Sequence, residues 1–243
     1  MIEKALRYLV GLKDNKTYVI DGITYSDNDL VRVTERKRYP ERKTVNSLDA
    51  IAKLISAEYA TIGEQAGEAI PLFIRVIDPK TVEVFTRPDQ FQKRTYAYQA
   101  ECVDADFREG WRDQQAAIIE IKSRFIPTED SEYLLSLISR MKKEEGVRSD
   151  DNGVSQTITA KSGVSLVAVE GVKPRLTLRP FRTFREVEQP DSEFILRLDD
   201  NGRVGLFEAD GGIWRMEAKD NIAAYFETRL HDMVADGRLV VMI

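Results

Sequence analysis

The stretch SEFILRLDDNGRVGLFEADGGIWRMEA, residues 192–218, carries the clearest structural signal in the chain. Apolar and polar residues alternate in SEFILRL and again in RVGLFEA. Alternation sends successive side chains to opposite faces, the pattern of a half-buried strand. Asp200-Asn201-Gly202 lies between the two runs, and Asn and Gly enter left-handed backbone angles at little cost. Asp210-Gly211-Gly212 is a second signal of the same kind. The stretch therefore predicts a meander of three strands, the third being IWRMEA, residues 213–218.

Downstream, DNIAAYFETRLHDMVADG (220–237) sets Ile222, Tyr225, Phe226, Leu230, Met233 and Val234 on one helical face, with Gly237 at its end. RLVVMI (238–243) is apolar almost throughout and predicts a central closing strand. Upstream, PRLTLRPFRTFREVEQP (174–190) alternates as far as Pro190 and reads as a strand. VRSDDNGVSQTITAKSGVS (147–165) is a turn-rich connector with a short strand pair.

Nearer the N-terminus, KTYVIDGITYS (16–26) predicts a hairpin about Asp21-Gly22. The next basic residues, Arg32, Arg36, Lys37, Arg38, Arg42 and Lys43, are interrupted by Pro40 and read as an extended arm. NSLDAIAKLISAEYATIG (46–63) predicts a helix capped by Asn46 or Ser47. PLFIRVIDPKTVEVFT (71–86) predicts a hairpin turning at Asp78-Pro79-Lys80. In IPTEDSEYLLSLISRMKKEEG (126–146), Thr128 or Asp130 caps a helix with Leu134, Leu137, Ile138 and Met141 along one stripe. Helices and hairpins are segregated, which is α+β. The expectation is a mixed, mainly antiparallel sheet with three to four helices and a projecting hairpin at 71–86. Residues 1–45 would form an N-terminal hairpin and basic arm, and 46–243 a compact core with a subdivision near 147–163.

Composition narrows the function. A net charge of −5 over 243 residues argues against binding nucleic acid through a wholly basic surface. One cysteine, Cys102, and one histidine, His231, exclude a zinc site built from Cys and His. Cys102 reads as a packed thiol and His231 as a surface residue with a partner. Every Ser-His or Cys-His mechanism would need His231 as its base. No Walker motif, dinucleotide fingerprint or nucleophile elbow is present, so neither cofactor nor metal is expected. No apolar run approaches a membrane span, and MIEKALRYLVGLKDNK (1–16) has too short an apolar core for a signal peptide. The expected location is the cytoplasm, with no membrane partner.

Two motifs point to metal chemistry. AAIIEIKSRF (116–125) places Glu120 and Lys122 in the E-x-K spacing of magnesium-dependent nucleases. There a strand presents both groups beside an upstream carboxylate from Asp104, Asp106 or Asp113, and the lysine positions water. The competing reading is a helix from Trp111 to Phe125, in which Ile118, Ile121 and Phe125 share a face and Glu120 and Lys122 meet solvent. Gln114, Gln115, Ala116 and Ala117 favour that helix. RLDDNGRVGLFE (197–208) echoes a calcium loop, but Arg197 stands where the first carboxylate is required, and a hairpin is the better reading.

Cations interleave with rings in KPRLTLRPFRTFR (173–185), where Arg179, Arg182 and Arg185 alternate with Phe181 and Phe184. With the basic arm, this resembles a single-strand-binding surface of charges and stacking rings. A solvated strand face or a contact with an acidic neighbour is the plainer alternative.

Three stretches carry a family resemblance: DDNGVSQTITAKSGV (150–164), LRPFRTFREVEQPDSEFILRL (178–198) and LFEADGGIWRMEA (206–218). Together they resemble an uncharacterised family encoded in phage and prophage genomes and, more remotely in the order of elements, the prophage YfdQ family. The resemblance covers roughly residue 44 onward and implies a phage-related setting in the bacterial cytoplasm. It implies no catalytic residues. The leading expectation is a non-enzymatic protein that assembles with copies of itself into a homo-oligomer, a ring or shell. The alternatives are a nucleic-acid-binding accessory factor for phage replication or recombination, an anti-defence protein that binds a host factor, and a magnesium nuclease using Asp113, Glu120 and Lys122.

Overall fold

In the computed structural model, residues 17–26, 41–62, 64–65, 68–89, 92–103, 107–141, 148–151, 156–162, 165–199 and 202–243 are described. The chain forms two units, 1–40 and 41–243. In the first, β1 (Thr17–Ile20) and β2 (Ile23–Ser26) make the hairpin read from KTYVIDGITYS. Asp21 and Gly22 both have positive φ (52° and 76°), as a two-residue turn matched to strand twist requires.

The second unit runs β3 (Lys43–Val45), α1 (Leu48–Ile62), β4 (Glu64–Gln65), β5 (Glu68–Ala69), β6 (Leu72–Asp78), β7 (Thr81–Thr86), β8 (Tyr96–Glu101), β9 (Gly110–Arg112), α2 (Gln114–Arg124), β10 (Phe125–Ile126), α3 (Glu129–Arg140), β11 (Arg148–Asp151), β12 (Gln156–Ser162), β13 (Ser165–Val172), β14 (Arg175–Pro180), β15 (Ser192–Leu198), β16 (Val204–Glu208), α4 (Trp214–Arg229), α5 (His231–Ala235) and β17 (Leu239–Met242). This is an α+β fold whose strand pairs are mostly antiparallel. Five helices occur among the described residues.

The strands build two five-stranded sheets. The first has the order β17-β6-β7-β8-β3, with its two outer pairs parallel. Leu48, Ile51 and Ile55 of α1, Ile222 and Phe226 of α4, and Met233 of α5 bury one of its faces. The second has the order β10-β14-β15-β16-β9 and is antiparallel throughout. Ala117 and Ile121 of α2 and Leu134, Leu137 and Ile138 of α3 cover it. Strand β15 shows the period of two cleanly: Ser192, Phe194, Leu196 and Leu198 are buried and the residues between them are half-buried. The connector after α3 forms a three-stranded antiparallel sheet, β11-β12-β13.

Local chemistry sets the helix ends. Ser47 Oγ accepts from Ala50 N–H (3.1 Å) at the start of α1. Asp113 caps α2, accepting from Ala116 N–H (2.8 Å). Thr128 and Ser131 form a reciprocal capping box on α3, where Glu129, Asp130 and Glu132 suit the positive end of the helix.

Five sequence expectations change. The 71–86 hairpin forms as β6–β7 but does not project: β17 and β8 flank it, making it the middle of a sheet. RLVVMI supplies an edge strand rather than a central one, because the chain returns from the helices covering the face onto the outer side of β6. The strand read through residue 190 ends at Pro180, and residues 181–191 form an irregular strap. IWRMEA is the start of a helix, so Asp210-Gly211-Gly212 turns the chain into α4 instead of into a third strand. Trp214, Ala218 and Ile222 are buried at a spacing of four, whereas Met216 is exposed. The predicted terminal helix is also broken at Leu230 into α4 and α5, and Gly237 (φ 77°) ends it.

That difference can be tested. On a strand, residues 214, 216 and 218 would share one face; on the helix, only 214 and 218 point inward. Met216→Lys should change unfolding free energy by no more than about 0.5 kcal/mol. Ala218→Leu should cost about 1–3 kcal/mol through overpacking. Urea denaturation of the two variants checks this, and the reverse order would restore the strand.

Candidate functional site

Glu120 lies on α2, not on a strand. Its carboxylate pairs with the Arg112 guanidinium of β9, through an ion pair at Nε and a hydrogen bond from Nη2 (3.1 Å). Arg112 also donates to the backbone oxygens of Gly110 (3.1 Å) and Arg108. Asp113 spends its carboxylate on the helix cap. Lys122 is exposed, and a helix turns residues 120 and 122 by about 200° relative to one another, so they cannot converge on one ion. Asp104 and Asp106 lie outside the described residues. Among the described residues, no group of three or more His, Cys, Asp or Glu is placed to hold a metal.

The basic residues divide into three sets. Arg32, Arg36, Lys37 and Arg38 lie outside the described residues. Arg42 donates to Gln99 Oε1 and lies over the Tyr96 ring (5.2 Å). Lys43 pairs with Glu58 (2.5 Å), which also accepts from Tyr98 Oη–H (2.7 Å). The Lys43 ammonium and the Tyr98 hydroxyl together lower the Glu58 pKa, while burial and the neighbouring carboxylate raise that of Tyr98.

Arg179, Arg182 and Arg185 do not form a common face. Arg179 makes a forked pair with Asp191 (Nε 2.8 Å, Nη2 3.0 Å) and reaches Glu188 (3.2 Å). That pairing raises the Arg179 pKa and lowers that of Asp191. Arg185 is exposed and stands over Phe181 (5.4 Å), an arrangement open to solvent. Arg182 is only 3% exposed, and Phe184 is buried in the core beside the first sheet. A binding platform needs unpaired cations beside accessible rings. Here Arg179 is neutralised, Arg182 is buried, and Phe184 serves as core.

The strap that carries Arg182 is fixed by a buried amide. Gln189 Oε1 accepts from the backbone N–H of Arg182 (2.9 Å) and Thr183 (3.1 Å), and its Nε2 donates to the carbonyls of Phe184 (2.8 Å) and Val187 (3.3 Å). Thr183 Oγ1 donates to the Pro79 carbonyl in the β6–β7 turn. The Arg182 guanidinium pairs with Glu208 of β16 and stacks on Trp214 (4.1 Å), with Phe194 at 5.5 Å. Burial pushes the Arg182 pKa down to about 10, partly offset by Glu208 and Asp210. Sequence reading missed this cluster because its members lie on a strand, an irregular strap and a helix start. Only the RPFRTFR and LFEADGGIW runs marked the region.

His231 is exposed beside Asp232 (3.5 Å) at the start of α5, and Cys102 packs partly buried against the first core. The hairpin β1–β2 differs from these polar sites. Tyr18, Val19 and Ile20 are successive residues of β1, with exposures of 48%, 70% and 56%. They offer apolar side chains on both faces of the ribbon.

No protein-family model, curated protein or solved structure matches this chain. No helix among the described residues is long and apolar enough to cross a membrane.

The reading of Glu120 gives a direct prediction. Both it and Arg112 are largely buried, so Glu120→Ala leaves a guanidinium without its partner and should cost about 2–4 kcal/mol. Millimolar magnesium should leave the melting temperature of the wild type unchanged. A magnesium-dependent rise that Glu120→Ala abolishes would reinstate the metal site.

Proposed function

We propose that this is a non-enzymatic protein that assembles with copies of itself through its N-terminal hairpin. The observation behind this reading is the run Tyr18-Val19-Ile20, apolar and exposed on a ribbon that has two strands among the described residues. An isolated two-stranded hairpin is marginal in water, and a strand with open edges and apolar faces is a template for pairing. A copied hairpin paired at its edge would extend the ribbon, and one stacked on it would bury the apolar side chains of one face. Strand β17 adds a second open edge, with Val240 exposed and only β6 beside it among the described residues. Two pairing surfaces on one chain suit a closed ring or a shell. The resemblance to phage-encoded proteins fits such a role in an infected or lysogenic bacterial cytoplasm. The nucleic-acid reading loses support, since Arg179 and Arg182 are committed to carboxylates.

Particle mass in solution tests the assembly. At micromolar concentration, light scattering should report a multiple of the single-chain mass. Val19→Lys with Ile20→Lys should reduce it to the single chain while leaving circular dichroism unchanged. A wild-type protein that stays monomeric at that concentration would overturn the proposal.

A further inference from the structure

A cavity of about 510 Å³ opens where the β6–β7 turn, the strap, the end of β16 and the start of α4 meet. Its lining includes Lys80, Arg182, Glu208, Trp214 and Arg215. Arg182 is the unusual member. Its Nη1 donates to Glu208, but Nε and Nη2 are buried with no hydrogen-bond partner. Buried guanidinium nitrogens are normally satisfied, so an orphaned pair beside a cavity needs an explanation. Glu208 cannot provide it, because its second oxygen faces Trp214 Nε1 (3.4 Å) and Arg215 (4.0 Å).

Charge points the same way. Lys80, Arg182 and Arg215 line the cavity against two carboxylates, Glu208 and Asp78. Asp78 Oδ1 is occupied by the Lys80 backbone N–H (2.7 Å). Asp210 offsets part of this charge at Arg182, and the positive end of α4, which begins at Trp214, adds to it. A guanidinium stacked on an indole keeps its in-plane N–H groups available for an acceptor. The volume exceeds that of a simple ion and falls within the range of small organic ligands.

We propose that this cavity is a binding site for a small organic oxyanion, its carboxylate or phosphoryl oxygens taken by Arg182 and Arg215 with Lys80 at the rim. Such a group would satisfy the two orphaned nitrogens of Arg182. Glu208 holds Arg182 in place in the free protein and competes with the ligand for it. Every lining residue belongs to the 41–243 unit.

Titrating the full chain with inorganic phosphate, glycerol phosphate and succinate at constant ionic strength tests the site. The readouts are calorimetric heat and the side-chain Nε–H resonance of Arg182. At least one probe should bind saturably and shift that resonance. Arg215→Ala with Lys80→Ala should weaken binding about tenfold or more. Glu208→Gln should tighten it, since it removes the competing charge and keeps an acceptor for Arg182. Arg182→Met would abolish binding but risks misfolding, so the Arg215 and Glu208 variants carry the decision. Absence of saturable binding by all three probes would overturn the proposal. So would binding indifferent to the Arg215/Lys80 substitutions, which would mean an adventitious ion only.

Discussion

The Gln189 amide is the interaction on which the larger unit depends. It is buried, and all its hydrogen-bonding capacity shown in the strap goes to backbone groups of residues 182–187. A segment without a strand ladder must find partners for its buried N–H and C=O groups elsewhere. Gln189 supplies them, and the strap then reaches in four directions. Phe184 enters the core under α1 and α4. Thr183 ties to the β6–β7 turn, and Glu186 accepts from Leu48 N–H (2.9 Å) at the start of α1. The Glu188 carbonyl accepts from Asn221 of α4 (3.0 Å). Because β14 and β15 of the second sheet flank the strap, these contacts join the two sheets. The Arg182–Glu208 pair adds a link back to β16.

This arrangement also redirects the chemistry suggested by the basic sequence. Cations that looked like a nucleic-acid surface hold the fold together: Arg179 clamps Asp191, and Arg182 bridges the strap to β16. The same burial that removes Arg182 from a surface role leaves two of its nitrogens unsatisfied next to a cavity. Three consecutive exposed apolar residues lie on the hairpin, and the unpartnered guanidinium nitrogens of Arg182 lie beside Trp214 at the start of α4.

Features set by local chemistry were legible from sequence. The Asp21-Gly22 hairpin, the Ser47 and Thr128 caps and the helical state of Glu120 each depend on a few neighbouring residues. Features set by distant partners were not. IWRMEA has apolar residues at 214 and 216, which read as alternation, yet the covered positions are 214 and 218, one helical turn apart, with Trp214 against the Arg182 guanidinium. RLVVMI looked central because it is apolar, but apolarity does not distinguish burial from an exposed edge awaiting a partner. The strap read as a strand because Leu176 and Leu178 do alternate, and Pro180 and Phe184 keep the same parity. Its true end is fixed by Gln189, which is nine residues beyond Pro180 in the sequence. A buried glutamine leaves no periodic signal. For the same reason the Arg182 cavity was invisible: its lining comes from five separated segments.

Amide hydrogen exchange of the full chain, compared between wild type and Gln189→Ala, tests the central role of the strap. The account predicts that the Arg182 and Thr183 amides of the wild type exchange only with global unfolding. In Gln189→Ala they should exchange orders of magnitude faster, and the first turn of α1 should lose protection with them, because Glu186 rides on the same strap. Rapid exchange of both amides in the wild type would contradict the account, as would unchanged protection in the variant.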